Sequence, residues 1–100
     1  MAWMITSEDS AEAAALREDK ALMAAHWAYE LSIRHKILAA GSLRRDDGQR
    51  PVGSLLILDV ATKAEALALL AADPATKAGL RGKVTVCFWN RAILDGVAVD

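Results

Sequence analysis

The sequence predicts an α+β domain, with one antiparallel sheet carrying two helices on a single face. Three observations predict it. Apolar segments of strand length and segments of helical period follow one another as β-α-β-β-α-β. The two middle strand segments are separated only by a polar stretch, residues 44–51, so they pair as a hairpin with Asp47-Gly48 as its turn signal. Each helical segment opens beside serine or threonine residues suited to capping, which marks where the period changes.

Residues 1–6, MAWMIT, are short and apolar and read as the first strand. Ser7 or Ser10 then caps a helical region whose acidic residues Glu8, Asp9 and Glu12 suit its positive end. The main helix runs from about Asp19 to His35, after a turn or short helix and a break near Glu18 to Lys20. Leu16, Leu22, Met23, Trp27, Leu31 and Ile33 supply its apolar repeat. Arg34, His35 and Lys36 gather where cations suit the dipole. Residues 37–43, ILAAGSL, return to strand character, with Gly41 marking a bulge or a close approach. Residues 52–60, VGSLLILDV, are almost continuously apolar, as a strand covered on both faces would be.

Residues 62–73, TKAEALALLAAD, are the clearest helix. Thr62 and Glu65 make a capping box, Leu67, Leu70 and Ala71 share a face, and Ala66 and Leu69 lie beside it. PATKAG adds a brief helical turn. Residues 83–90, KVTVCFWN, alternate as the last strand, with Val84, Val86 and Phe88 on one side and Thr85, Cys87 and Trp89 on the other. The tail adds a short extended piece.

This order is the ferredoxin-like arrangement. Two helices cover only one face of the sheet, and a single chain offers nothing further for the other. Apolar residues make up 54% of the 100, but much of that is alanine, and only 5% are aromatic, so the core is thin. Both points lead to the expectation of a homodimer packed sheet to sheet, each chain being one domain over residues 1–100.

Charge and cysteine content narrow the function. A net charge of -1 gives no general basic field for nucleic acid or anionic membrane. The one basic cluster, Arg44-Arg45, is followed at once by Asp46-Asp47. A lone cysteine, Cys87, excludes an internal disulfide, and a thiol packed within a strand is expected. No stretch is long and apolar enough to span a bilayer, and the first residues lack the features of a signal peptide. The expectation is a cytoplasmic protein.

Two residues attract chemistry. His26 sits within a helix on the face of Leu22 and Met23, where it is either a satisfied core histidine or part of a site. Asp73 precedes Pro74, a preferred N-cap followed by a preferred first helical residue, so it is either a cap alone or a carboxylate with a second duty. His35 reads as a solvated helix end. No metal is expected, because the usual paired His or Cys spacings are missing. Ser42 and Ser54 lack the frame of a nucleophile elbow.

The stretches HKILAAGSLRRDDGQRPVGSLLILDV and LAADPATKAGLRGKVTVCFWN together resemble the YCII-related (YciI-like) family, over about Arg17 to Gly96. The resemblance rests most on the glycine-punctuated strand-turn-strand from Gly41 to Ser54 and on the D-P-x-x-x-A-G-L run from Asp73. It implies a ferredoxin-like fold forming a dimeric α/β barrel, and a site built on a helix histidine and the aspartate of the D-P run: His26 and Asp73. Gly41 falls near that pocket. The family usually carries an arginine shortly before the histidine. Here Met23 stands three residues before His26 and the nearest upstream arginine is Arg17, which is assigned to substrate binding with Gly41, Ser42 and Ala75. Ser42 replaces a usual proline, and Ala75 replaces a usual aromatic residue, reshaping the pocket.

A carboxylate on one imidazole nitrogen raises the basicity of the other, which suits proton transfer near neutral pH. The implied function is a small cofactor-independent enzyme of lyase or isomerase type, dehydrochlorination included, acting on a small aromatic or enolic molecule. The alternative is a non-catalytic dimeric module that binds a small ligand or a partner protein in the same cleft. Either way, the Asp73 carboxylate is expected within direct or one-water reach of the His26 ring, near Gly41.

Overall fold

The computed structural model describes residues 2–99. Strand β1, Ala2–Asp9, runs past the apolar segment because its backbone is paired on both sides, with Thr6, Ser7 and Glu8 opposite Leu55, Ser54 and Gly53. Ser7 is therefore a strand residue and not a helix cap. Ser10 does not cap either: its hydroxyl donates to the Gly79 carbonyl at 2.6 Å. Helix α1, Ala13–Glu18, opens without a side-chain cap. Helix α2, Lys20–Ser32, is capped by Asp19, whose Oδ1 accepts from the Leu22 amide at 3.0 Å. The chain breaks between the two helices where the sequence reading placed it. The basic triplet falls outside α2, in a 3₁₀ turn at Arg34–Lys36.

Strands β2, Ile37–Arg44, and β3, Pro51–Leu58, form the expected hairpin. Helix α3, Lys63–Ala71, begins where the Thr62 hydroxyl accepts from the Glu65 amide at 3.1 Å. The Glu65 carboxylate meets Lys36 at 3.6 Å. Helix α4, Pro74–Lys77, ends at Gly79 in a left-handed conformation, φ 91°. The Leu80 amide donates to Ala75 and the Gly79 amide to Thr76, each at 3.1 Å, so two late carbonyls of α4 are satisfied. Strand β4, Arg81–Trp89, follows at once. The tail is a small hairpin, β5 Ile93–Leu94 and β6 Val97–Ala98, turning at Asp95-Gly96.

The sheet order is β2-β3-β1-β4, antiparallel throughout, which is the ferredoxin-like topology. Cross-strand partners point to the same face. On the helix-bearing face, Ile5, Leu58 and Val60 pack with Ala66 and Leu70 of α3, and Trp3, Leu56, Leu69 and Val86 close around them. Ile5 and Leu58 are fully buried, each contributing about 1.5–3 kcal/mol. A second cluster joins Ala13, Ala75 and Leu80, with Leu16 and Met23 against it. Its small side chains let α1, α2 and α4 approach closely. Gly53 makes the β3-β1 junction possible, because a Cβ there would run into the Ser7 carbonyl oxygen.

Three packing expectations are corrected. Trp27 (60% exposed) and Leu31 (42%) lie outside the core, because α2 turns Leu22, Met23, His26, Tyr29 and Ile33 inward instead. In α3 the inward positions are Ala66, Leu69 and Leu70, and Leu67 faces out. Cys87 is exposed rather than packed, since it lies with Met4, Thr85 and Leu43 on the face away from the helices. No helix among the described residues is long and apolar enough to cross a membrane.

Candidate active site

Helix α2 brings His26 and Glu30, one turn apart, to the same side. The Ala72-Asp73-Pro74 corner brings Asp73 up from between α3 and α4. Pro74 fixes the first helical φ, and Asp73 Oδ1 accepts from the Ala75 amide at 2.9 Å, so the aspartate does cap α4. It also does more. His26 Nδ1 stands 2.9 Å from both Asp73 oxygens, and Arg81 Nη2 donates to Oδ2 at 3.1 Å. On the other side of the ring, His26 Nε2 is 2.8 Å from Glu30 Oε1. The two readings of Asp73 are thus one: a cap that is also the carboxylate of a His-Asp pair.

Asp73 is 3% exposed. Burial works against its ionisation. The bond from His26, the Ala75 amide and the charges of His26 and Arg81 outweigh that and hold its carboxyl below the ordinary range. His26 moves the opposite way. Bonds to Asp73 and Glu30 raise it to about 9, against the opposing effect of its partial burial. The ring is therefore an imidazolium at neutral pH, donating from both nitrogens. The second carboxylate, Glu30, is what the sequence reading lacked: one carboxylate leaves a ring nitrogen free, and two do not. Tyr29 braces the helix from behind, its hydroxyl donating to the Leu69 carbonyl at 2.6 Å. Burial and the Asp73 charge push its phenol up.

His26 and Glu30 line a cavity of about 390 Å³ between α2 and the β2-β3 side of the sheet. Gly41 and Ser42 line it from β2, and Arg17 from α1. Arg17 is held by a two-point bond to Asp9, at 2.8 and 2.7 Å. Ser42 Oγ accepts from Arg44 at 2.8 Å. Ala75 does not reach the cavity. It is fully buried with Ala13 and Leu80, and its contribution to the site is its amide. Met23 packs against that same cluster.

Three site residues escaped the sequence reading. Glu30 had a legible signal, since a carboxylate four residues after a helical histidine shares its face. Arg81 had none. Its side chain, 8% exposed, reaches Asp73 and Thr76 just upstream and Ser7 and Ser54 from two distant strands. Ser54 lines the cavity beside it. The donor atoms of His26, Glu30 and Asp73 lie within 4.8 Å of one another, close enough to converge on a divalent cation. The imidazolium protons compete for the same oxygens, so such binding would demand deprotonation of His26.

The family model described as YCII-related domain matches residues 1–90. No curated protein matches the chain. Among solved structures, it is similar to 5-chloro-2-hydroxyhydroquinone dehydrochlorinase (TftG) from Burkholderia phenoliruptrix AC1100, in complex with 2,5-dihydroxybenzoquinone. Identity is 30%, the match covers 90% of this chain and 94% of that one, and the TM-score is 0.77.

Proposed function

The chain belongs to the YCII-related domain family, and from that premise we propose that it is a small enzyme moving protons on an aromatic or enolic molecule, of lyase or isomerase type. The carrying observation is the His26 imidazolium bonded between Asp73 and Glu30 on the wall of a cavity. At neutral pH the pair His26-Glu30 is a proton donor beside a proton acceptor. A substrate entering between them receives a proton from Nε2 and gives one to the Glu30 carboxylate. Asp73 stays ionised, orients the ring through Nδ1 and steadies its charge.

Dehydrochlorination, the activity of the similar solved structure, fits this pairing. For a chlorinated polyhydric phenol the net change is loss of HCl. One proton is added to the carbon bearing chlorine and two leave hydroxyl groups. Chloride departs with the C–Cl electron pair, and the ring ends at the quinone level with no external oxidant. Such a step needs both an acid and a base at one ring edge.

One observation favours a second reading, a ligand-binding module without turnover: Glu30 occupies the only ring nitrogen that Asp73 leaves. Offering 5-chloro-2-hydroxyhydroquinone and measuring chloride release separates the two. The enzyme reading expects release by wild type and a loss of about 10²–10⁴-fold in His26→Ala and Glu30→Gln. Equal binding by wild type and His26→Ala, with chloride from neither, would establish the module instead. We extend the proposal to a homodimer, supported by the half-covered Met4, Thr6 and Leu55 and the exposed Leu43 on the sheet face away from the helices.

A further inference from the structure

We propose that Ser54 forms an oxyanion site in the cavity, taking a phenolate or enolate oxygen of the substrate. The inference rests on the cavity being a substrate site, as read above, and names the group that the site recognises.

It follows from counting protons. Ser7 and Ser54 face each other across β1 and β3, their hydroxyl oxygens 2.7 Å apart. Arg81 Nη1 donates to both, at 3.0 Å to Ser7 and at short range to Ser54. A guanidinium only donates, so both oxygens accept from it, and each hydroxyl still has one proton to place. Ser7 is 5% exposed, and among the described residues the only acceptor bonded to its hydroxyl is Ser54. A buried hydroxyl proton needs an acceptor, so Ser7 donates to Ser54. Ser54 then accepts twice, and its own proton points away from both neighbours, into the cavity that Ser54 lines. Accepting from a guanidinium and a hydroxyl polarises that O–H into a stronger donor.

The surroundings select an anion. His26, Arg17, Arg44 and Arg81 line the same cavity, against Glu30 as the lining carboxylate. Arg17 is matched by Asp9 and Arg81 by Asp73. Arg44 bonds Ser42 and the carbonyls of Gly48 and Gln49, and no carboxylate among the described residues pairs with it. The chain as a whole carries -1, so this excess is local to the cavity. A neutral oxygen would gain one hydrogen bond from Ser54, whereas an oxyanion gains a charge-assisted one within a cationic field.

Equilibrium dialysis at mildly alkaline pH, with 4-nitrophenolate and its neutral isostere 4-nitroanisole, tests this. Wild type is expected to prefer the phenolate by about tenfold or more, the worth of a hydrogen bond to a charge. Ser54→Ala should lower that preference about tenfold, leaving only what the cationic lining supplies. Ser54→Thr should restore the preference. Ser7→Ala removes the same serine pair without touching the cavity and should keep it. The site is overturned if wild type binds both probes alike or neither, if Ser54→Ala keeps the preference undiminished, or if Ser7→Ala loses as much of it as Ser54→Ala. None of these readings needs turnover. Chloride release without the preference would sink the oxyanion site and leave the enzyme standing, and the preference without turnover would do the reverse.

Discussion

Asp73 serves helix and histidine with the same two oxygens, and substitutions can separate the duties. Asparagine is as good an N-cap as aspartate but carries no charge. Asp73→Asn should therefore keep α4 while letting the His26 pKa fall from about 9 towards its ordinary 6.5, which NMR titration of the ring reads directly. An unmoved pKa would sink the pair. Asp73→Ala should lose the cap as well, costing about 1 kcal/mol more in a denaturant melt. The pH dependence of stability has a definite sign. Below pH 6.5 folded and unfolded chains both hold the His26 proton, and the pair stabilises fully. Between 6.5 and about 9 only the folded chain holds it, and on the order of 3 kcal/mol drains away. Asp73 gives the mirror image, with stability retained above its ordinary carboxyl range and lost as pH falls below it. At this scale helix and cap positions singled out His26 and Asp73 without deciding their roles, and the family resemblance paired them. The sequence hid Arg81, because two of its four partners, Ser7 and Ser54, lie in strands that only the fold brings to it.

Strand β3 shows how one element places a site. Its approach to β1 depends on Gly53, and that approach sets Ser54 against Ser7. Gly53→Ala should cost about 1–3 kcal/mol through forced backbone displacement, a loss visible in thermal unfolding. Little change would mean that β1 yields easily there. Thr62→Ala tests α3 in the same way, with an expected loss of about 1 kcal/mol. The caps of α3 and α4, the β2-β3 hairpin and the α1-α2 break were legible because each depends on local residues. The extent of β1 was not, because pairing on both sides carried it through Thr6, Ser7 and Glu8. The inward faces of α2 and α3 were misread for a related reason. In alanine-rich helices several stripes look alike, and tertiary contact chooses among them.

The chain folds its helices onto one face of four strands, an order that the alternation of periods was enough to suggest. How the opposite face is covered cannot be read from periodicity, which describes one chain at a time. The homodimer proposed above predicts twice the 10.7 kDa chain mass in light scattering at micromolar concentration, across an interface of roughly 1,200–2,000 Å². A monomeric mass would remove it. The placement of the three tryptophans has its own consequence. Trp3, partly buried against the core, lies edge-on to the exposed Phe88 at 5.4 Å, Trp27 stands at the cavity, and Trp89 sits on β4 opposite Ala2. Intrinsic fluorescence therefore carries three signals from one unlabelled molecule. Variants that keep a single tryptophan would resolve unfolding from Trp3, ligand entry as quenching of Trp27, and association from Trp89, each in its own emission band.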